Sequence, residues 1–172
     1  MSQNIFRNQL IELVNHIRAY GMRMLEGLSA NEMAWFPEGT RGRTISSYLR
    51  HIINAELYWL KQLGYQEIPD YLPKESSNDE LMKNYRSLST FICDLIGNAS
   101  EEDLIPHISP EKRTLAWMVW RTSLHAIHHF AQVAYIRYTI ENPPNAKSID
   151  SSWGDTIDIL VFLGYFKELN MS

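Results

Sequence analysis

The 172-residue sequence has a single cysteine, Cys93, so one chain can form neither a disulfide nor a zinc site built from several cysteines. Apolar residues surround it along the chain: Phe91, Ile92, Leu95 and Ile96. This environment predicts a thiol that is buried as a small hydrophobic side chain. Because buried thiols are inert, we expect no cysteine nucleophile.

The sequence also lacks a long apolar run and an excess of positive charge. Its longest apolar stretch, residues 159–166, falls well short of the about 20 residues that cross a bilayer. Lys and Arg number 16 against 20 Asp and Glu, a net charge of −4, whereas binders of nucleic acid or membrane surfaces are usually basic. No basic and then apolar segment of the export type opens the sequence. We therefore expect a cytoplasmic protein that binds neither nucleic acid nor membrane.

What is present is an apolar pattern with a period of 3.6 residues. Apolar residues make up 45% of the chain, enough for one hydrophobic core, so a single domain over 1–172 is expected. The strict alternation typical of strands is missing, which disfavours a strand-rich fold. The pattern indicates an all-α protein.

This pattern, together with capping residues and prolines that mark helix ends, predicts four long helices and a final shorter one. A first apolar stripe covers residues 5–28. Thr44 can cap a second helix, and Ser77 with Glu80 has the spacing of a capping box that starts a third, running to about residue 97. The fourth covers about 114–141, before two prolines, and the last covers 155–169. These segments predict a four-helix bundle with an extra C-terminal helix that packs outside the bundle or seals one end.

Three of the six histidines, His125, His128 and His129, lie together in the fourth predicted helix. Residues four apart on a helix share a face, so His125 and His129 can direct their rings at one point, as two ligands of a transition metal. His128 is the alternative partner of His125. Helical projection favours His129, which shares its face with Gln132.

A third ligand must come from another helix, and His51 is the best candidate. It lies early in the second predicted helix, on the flank of its core face. Three neutral imidazoles leave a coordination position open for chemistry. Such a set suits one divalent ion of zinc, nickel, iron, manganese or copper.

Two familiar metal sites are disfavoured by the surrounding residues. Ala126 follows His125, where a thermolysin-like protease has its glutamate base. No glutamate has a histidine three residues later, as di-iron bundles require.

Two further residues are candidates for catalysis. Gln132 can hydrogen-bond a ligand ring or a bound water, or it can pack between helices. Glu56, one turn beyond His51, can orient a histidine, act as a base, or form a structural ion pair with Arg121 or Arg137. Five aromatic residues are expected to build the core and the pocket walls: Tyr48, Tyr58, Trp59, Trp117 and Trp120.

These motifs resemble those of the DinB/YfiT-like superfamily. Residues 125–132, His-Ala-Ile-His-His-Phe-Ala-Gln, with Arg137 after them, are similar to its His-x-x-His-His-Arg-Gly-Gln pattern. Residues 44–51, Thr-Ile-Ser-Ser-Tyr-Leu-Arg-His, continuing through Glu56 and Trp59, are similar to its second-helix motif. Phe130 and Ala131 depart from the pattern, because the family often has Arg and Gly there.

The resemblance implies a four-helix bundle that binds one metal ion through His51, His125 and His129, and often a homodimer. Members are described as metal-dependent hydrolases, and some relatives are thiol-dependent transferases or isomerases. We therefore expect a metal-dependent enzyme of hydrolase or thiol S-transferase type, with a small-molecule substrate and a low-molecular-weight thiol among the candidates. A non-catalytic module that binds metal or a small ligand is the alternative, and a purely structural bundle is the third possibility.

Overall fold

The computed structural model describes residues 2–36, 43–74, 76–105 and 113–143. Within these ranges it contains helices and no strands. The helices are α1 (Ser2–Leu25), α2 (Ala30–Ala34), α3 (Ile45–Gln62), α4 (Asn78–Asn98), α5 (Glu101–Leu104) and α6 (Leu115–Thr139). The prediction of an all-α fold with four long helices is confirmed. The helix predicted over 155–169 lies outside the described residues.

Side-chain caps set the starts of the three later long helices, as predicted for the caps at Thr44 and Ser77. The hydroxyls of Thr44 and Thr114 each accept from the backbone N–H three residues further on. Ser77 and Glu80 form the complete capping box at the start of α4. These bonds satisfy backbone donors that have no partner within the helix, which explains why the predicted starts agree closely with the structure.

The end of the first helix agrees less well with its prediction. The stripe that predicts a helix to residue 28 continues three residues beyond the end of α1 at Leu25. Gly27 adopts a positive φ of 74°, which breaks the helical path, and Leu28 still packs against the core. The two short helices α2 and α5 are additions to the predicted set, each started by a serine cap, Ser29 and Ser100.

The four long helices form a ring in which α1 contacts α4 and α6, and α3 contacts the same two helices. Ring contacts join His51 to His125 and Trp59 to Trp117, so α3 and α6 run antiparallel. Arg7 near the start of α1 contacts the end of α4, whereas α1 and α6 bring their C-terminal ends together. The bundle therefore has an up-down-down-up order, in which α3 and α4 run parallel to each other.

The buried Arg137 connects the end of α6 to the end of α1. The guanidinium of Arg137 donates to the carbonyl oxygens of Met24 and Glu26 at the end of α1, and to the carbonyl and side chain of Asn142. A cation at a helix C-terminus meets the negative end of the helix dipole and satisfies carbonyls that lack helical partners. Arg137 is thus engaged in holding the fold.

Phe130, one of the two residues that depart from the family pattern, is fully buried between α1 and α4. Its ring packs against the rings of Tyr20 and Tyr85, with centroids 6.0 and 5.9 Å away. An apolar side chain at this position anchors α6 in the core directly beside His129.

We predict that Gly21→Ala destabilises the bundle, because Gly21 leaves space for the Phe130 ring. A Cβ atom at Gly21 would overlap that ring and lie 2.8 Å from the Tyr85 hydroxyl. Overpacking of this kind costs about 1–3 kcal/mol, which urea unfolding would measure. Gly97→Ala is the matched control: nothing lies within 4 Å of its added Cβ, so helix propensity should stabilise it by about 0.5–1 kcal/mol. Equal stability of the two variants would contradict this packing.

Candidate metal centre

Three histidine side chains from two helices converge where α3 and α6 pack together. His51 comes from α3, and His125 and His129 come from successive turns of α6. The Nε2 atom of His125 lies 3.2 Å from Nε2 of His51 and 3.1 Å from Nε2 of His129. All three rings are half-buried and offer nitrogen atoms within 4.8 Å of one another. Folding therefore brings the three predicted ligands together.

The separation of the nitrogen atoms fits a shared cation. Imidazole nitrogens lie about 2.0–2.1 Å from zinc, and two ligands of a tetrahedral ion at that distance are about 3.3 Å apart. The observed Nε2–Nε2 distances are 3.1 and 3.2 Å. The three histidines could therefore hold one divalent ion with little adjustment. The donor set is nitrogen only, since no carboxylate or thiol of the described residues joins the cluster.

Gln132 fixes the orientation and tautomer of one ring. Its Oε1 atom lies 2.6 Å from Nδ1 of His129. An amide oxygen only accepts, so Nδ1 of His129 carries the proton and Nε2 keeps its lone pair for a metal. Tyr48 packs against the other side of this ring, with centroids 5.4 Å apart. The residue predicted to support a ligand ring is thus in contact with one.

The surroundings keep the three rings neutral, which is the form that binds metal. Burial lowers the pKa of His125 to about 4, with a further contribution from His129, His51 and Arg121. Burial also lowers the pKa of His51, assisted by the charge of Arg43. Burial lowers the pKa of His129 as well, and the hydrogen bond to Gln132 reduces this lowering. At neutral pH each ring therefore offers a lone pair without first losing a proton.

His128 lies beside the cluster and not in it. Its ring centroid is 5.0 Å from that of His129, but its side chain is exposed on the outer surface of α6. The helical projection that favours His129 over His128 agrees with this placement. His16 is half-buried on α1, and His107 lies outside the described residues.

Glu56 points elsewhere: its two carboxylate oxygens accept from Nη2 of Arg18 on α1, at 3.1 and 3.2 Å. The predicted pairing with Arg121 or Arg137 is wrong, because Arg121 is exposed and Arg137 caps α1. Burial raises the pKa of Glu56, and the attraction of Arg18 opposes that change. Since α1 and α3 are diagonal in the ring, this pair crosses the centre of the bundle. Sequence spacing within α3 gives no sign of so distant a partner.

Cys93 has a half-buried side chain on α4, with Sγ 3.7 Å from Oδ1 of Asn15. It packs against the core, and burial raises the pKa of its thiol. The side chain is thus less buried than predicted, while the raised pKa agrees with the expectation of an unreactive thiol, since nucleophilic cysteines have a lowered pKa.

Two open pockets each include one histidine of the cluster in their lining. One, of about 430 Å³, is lined by His125, His128, Arg121, Leu124, Trp117 and Trp120. The other, of about 360 Å³, is lined by His51, Arg43, Arg50, Ser47, Asn54 and Leu72. A small molecule can thus approach the rings from the α6 side or from the α3 side. Both approaches carry arginine, although the chain as a whole is acidic.

We predict that Gln132→Leu weakens metal binding about 10–100-fold, the usual loss when a partner of a ligand histidine is removed. The substitution keeps the volume but removes the acceptor for Nδ1 of His129. Competition for zinc with a chelating dye would measure the change. Gln132→Glu, which retains an acceptor oxygen, should keep most of the affinity. If Gln132→Leu binds zinc as tightly as the wild type, the bond does not orient the ring.

The fold and the cluster define a helical bundle with three histidines able to bind a metal ion. In a comparison with protein families, the model of the DinB superfamily matches residues 13–133 of this chain. The chain therefore belongs to the DinB superfamily, as the sequence motifs predict. The searches of curated proteins and of solved structures found no match. Within the described residues, no helix combines the length and apolar character needed to cross a membrane.

Proposed function

We propose that this protein is a divalent-metal-dependent enzyme of hydrolase or thiol S-transferase type. The observation that carries the proposal is the convergence of His51, His125 and His129. The Nε2 atom of His125 lies 3.1 Å from that of His129 and 3.2 Å from that of His51. A three-histidine set is the kind that catalytic metal sites use, because it leaves a coordination position for substrate.

The ion itself supplies Lewis acidity, which polarises a carbonyl or lowers the pKa of a coordinated water or thiol. The chain supplies the ligands in their neutral form, and Gln132 holds one of them by its proton at Nδ1. The two pockets beside His51 and His125 provide space for a small-molecule substrate. Hydrolysis and thiol transfer need the same three ligands, so the proposal covers both reaction types.

The test is a measurement of bound metal and of activity on the same preparation. Purified protein should contain close to one divalent ion per chain, identified by mass spectrometry of the elements. Model esters, amides and thiol-transfer substrates should be turned over by the metal-loaded protein, and turnover should stop after chelation and return when metal is added. His51→Ala should lose both metal and activity. Turnover that is unchanged by chelation and by this substitution would refute the proposal.

A non-catalytic metal-binding role is the second candidate, favoured by one observation. Glu56, one of the two residues predicted as candidates for catalysis, is buried and held by Arg18, and the cluster of described candidate ligands contains no carboxylate. Gln132, the other candidate, is an amide and cannot act as a general base. Metal that is bound in a closed shell of four ligands by X-ray absorption, with no turnover of any substrate class, would favour this role.

A further inference from the structure

A seam between α3 and α6 leads away from the three histidines, and its direction follows from the antiparallel packing. His51 faces His125 at one end, and Trp59 faces Trp117 at the other. In each helix eight residues separate the two pairs, a distance of about 12 Å at 1.5 Å per residue. We call the surface between these pairs the α3–α6 seam. A molecule of that length could contact the histidines and the tryptophans together.

The far end of the α3–α6 seam is aromatic and partly open. The Trp59 and Trp117 rings meet edge to face with centroids 5.0 Å apart, and Tyr58 packs on Trp59 at 5.0 Å. The Tyr58 side chain is 51% exposed and that of Leu124, along the pocket, is 47% exposed. Flat apolar groups stack favourably on such surfaces. This end of the α3–α6 seam is therefore suited to bind the planar apolar part of a small molecule.

Two arginines make the same surface positive. The guanidinium carbon of Arg113 lies 4.8 Å from the Trp59 ring centre, and that of Arg121 lies 5.5 Å from it. Both side chains are exposed, and Arg121 also lines the pocket that reaches His125. Among the described residues, the ion pair joins Arg18 and Glu56. Neither Arg113 nor Arg121 forms an ion pair with a described residue.

We propose that the α3–α6 seam binds an anionic substrate with a planar apolar body, of the aromatic carboxylate class, and directs it to the three histidines. A guanidinium offers a planar pair of donors that matches a carboxylate, while the tryptophans hold the ring. The pocket of about 430 Å³ that Trp117, Arg121 and His125 line lies along the α6 side of the seam, and its volume falls within the range of small-molecule sites. The inference rests on the proposed function, because it names the substrate class of the same metal centre.

Charge complementarity favours this occupant over a neutral one. The chain carries a net charge of −4, yet Arg113 and Arg121 lie on one side of the cluster and Arg43 lines the pocket on the other. Positive side chains that line a cleft raise the local concentration of anions. A neutral aromatic molecule would gain the stacking but would itself offer no charge to either guanidinium.

The experiment compares 2-naphthoate with its neutral counterpart 2-naphthamide by titration calorimetry on the full chain, with and without bound zinc. The carboxylate should bind at least about 10-fold more tightly in both forms, since a hydrogen bond to a charged group contributes that much. Arg121→Gln should weaken naphthoate binding about 10-fold and leave naphthamide unchanged. The matched control is Arg86→Gln, an exposed arginine of α4, which should not alter either affinity.

Arg113→Gln gives an independent second reading, with a loss of naphthoate affinity in the same direction. Equal affinity for acid and amide would overturn the proposal. So would naphthoate binding that needs zinc and is indifferent to both arginine substitutions, because the carboxylate would then bind only the ion. If the chain binds no zinc and yet discriminates acid from amide through Arg121, the seam stands and the proposed metal-dependent function fails.

Discussion

His125→Ala is expected to abolish high-affinity metal binding. Of the three candidate ligands, His125 is central, because its Nε2 atom lies within 3.2 Å of the Nε2 atoms of both others. The remaining rings, His51 and His129, would offer only two ligand atoms to a metal ion. Removing a supporting residue costs metal affinity about 10–100-fold, so losing the central ligand should cost more than about 100-fold. Competition with a chelating dye, with zinc at neutral pH, would measure this loss.

The matched control is His128→Ala on the same helix. His128 is three residues from His125 and its ring is 5.0 Å from that of His129, but it is exposed. It should keep zinc affinity within about twofold of the wild type, because it contributes no ligand atom. An equal loss in the two variants would mean that nearby charge or helix stability, and not coordination, controls metal binding. A loss in His128→Ala alone would reassign the ligand.

The grouping of His125 and His129 could be predicted from sequence because it depends on helical geometry. The spacing of His125 and His129 places both on one face of α6 whatever the rest of the chain does. The choice of His51 depended on its position in a second predicted helix, on the flank of the core face, and the family resemblance implies the same three residues. The caps at Thr44 and Ser77 could also be predicted, because each depends on residues within one turn.

The contacts that could not be predicted are those between helices far apart in sequence. Arg18 and Glu56 are 38 residues apart, and Arg137 reaches carbonyls more than 100 residues earlier. A charged residue at a buried position predicts that a partner of opposite charge is present, but it does not identify that partner. The same limit applies to Gly21, whose missing Cβ makes sense only when the Phe130 ring lies against it.

The second large effect is expected at the ion pair in the centre of the bundle. Arg18 and Glu56 have side chains that are 8% and 7% exposed, and the guanidinium also lies 3.5 Å over the Tyr85 ring. Removing one member of a buried pair leaves the other charge without compensation and costs about 3–5 kcal/mol. We therefore predict losses of that size in the free energy of unfolding for Arg18→Met and for Glu56→Leu, measured in urea.

The double variant Arg18→Met/Glu56→Leu should be more stable than either single variant, because it buries no unpaired charge and replaces the pair with apolar side chains. Zinc affinity should stay near the wild-type value in all three proteins, since Glu56 is bound to Arg18 and not to a ligand ring. The conservative variant Glu56→Gln separates stability from catalysis. If it stays folded and binds zinc but loses all turnover, Glu56 acts in the reaction and its pairing with Arg18 is not its only role. If turnover falls only as far as stability does, the carboxylate serves the bundle, and the three imidazoles perform their chemistry without it.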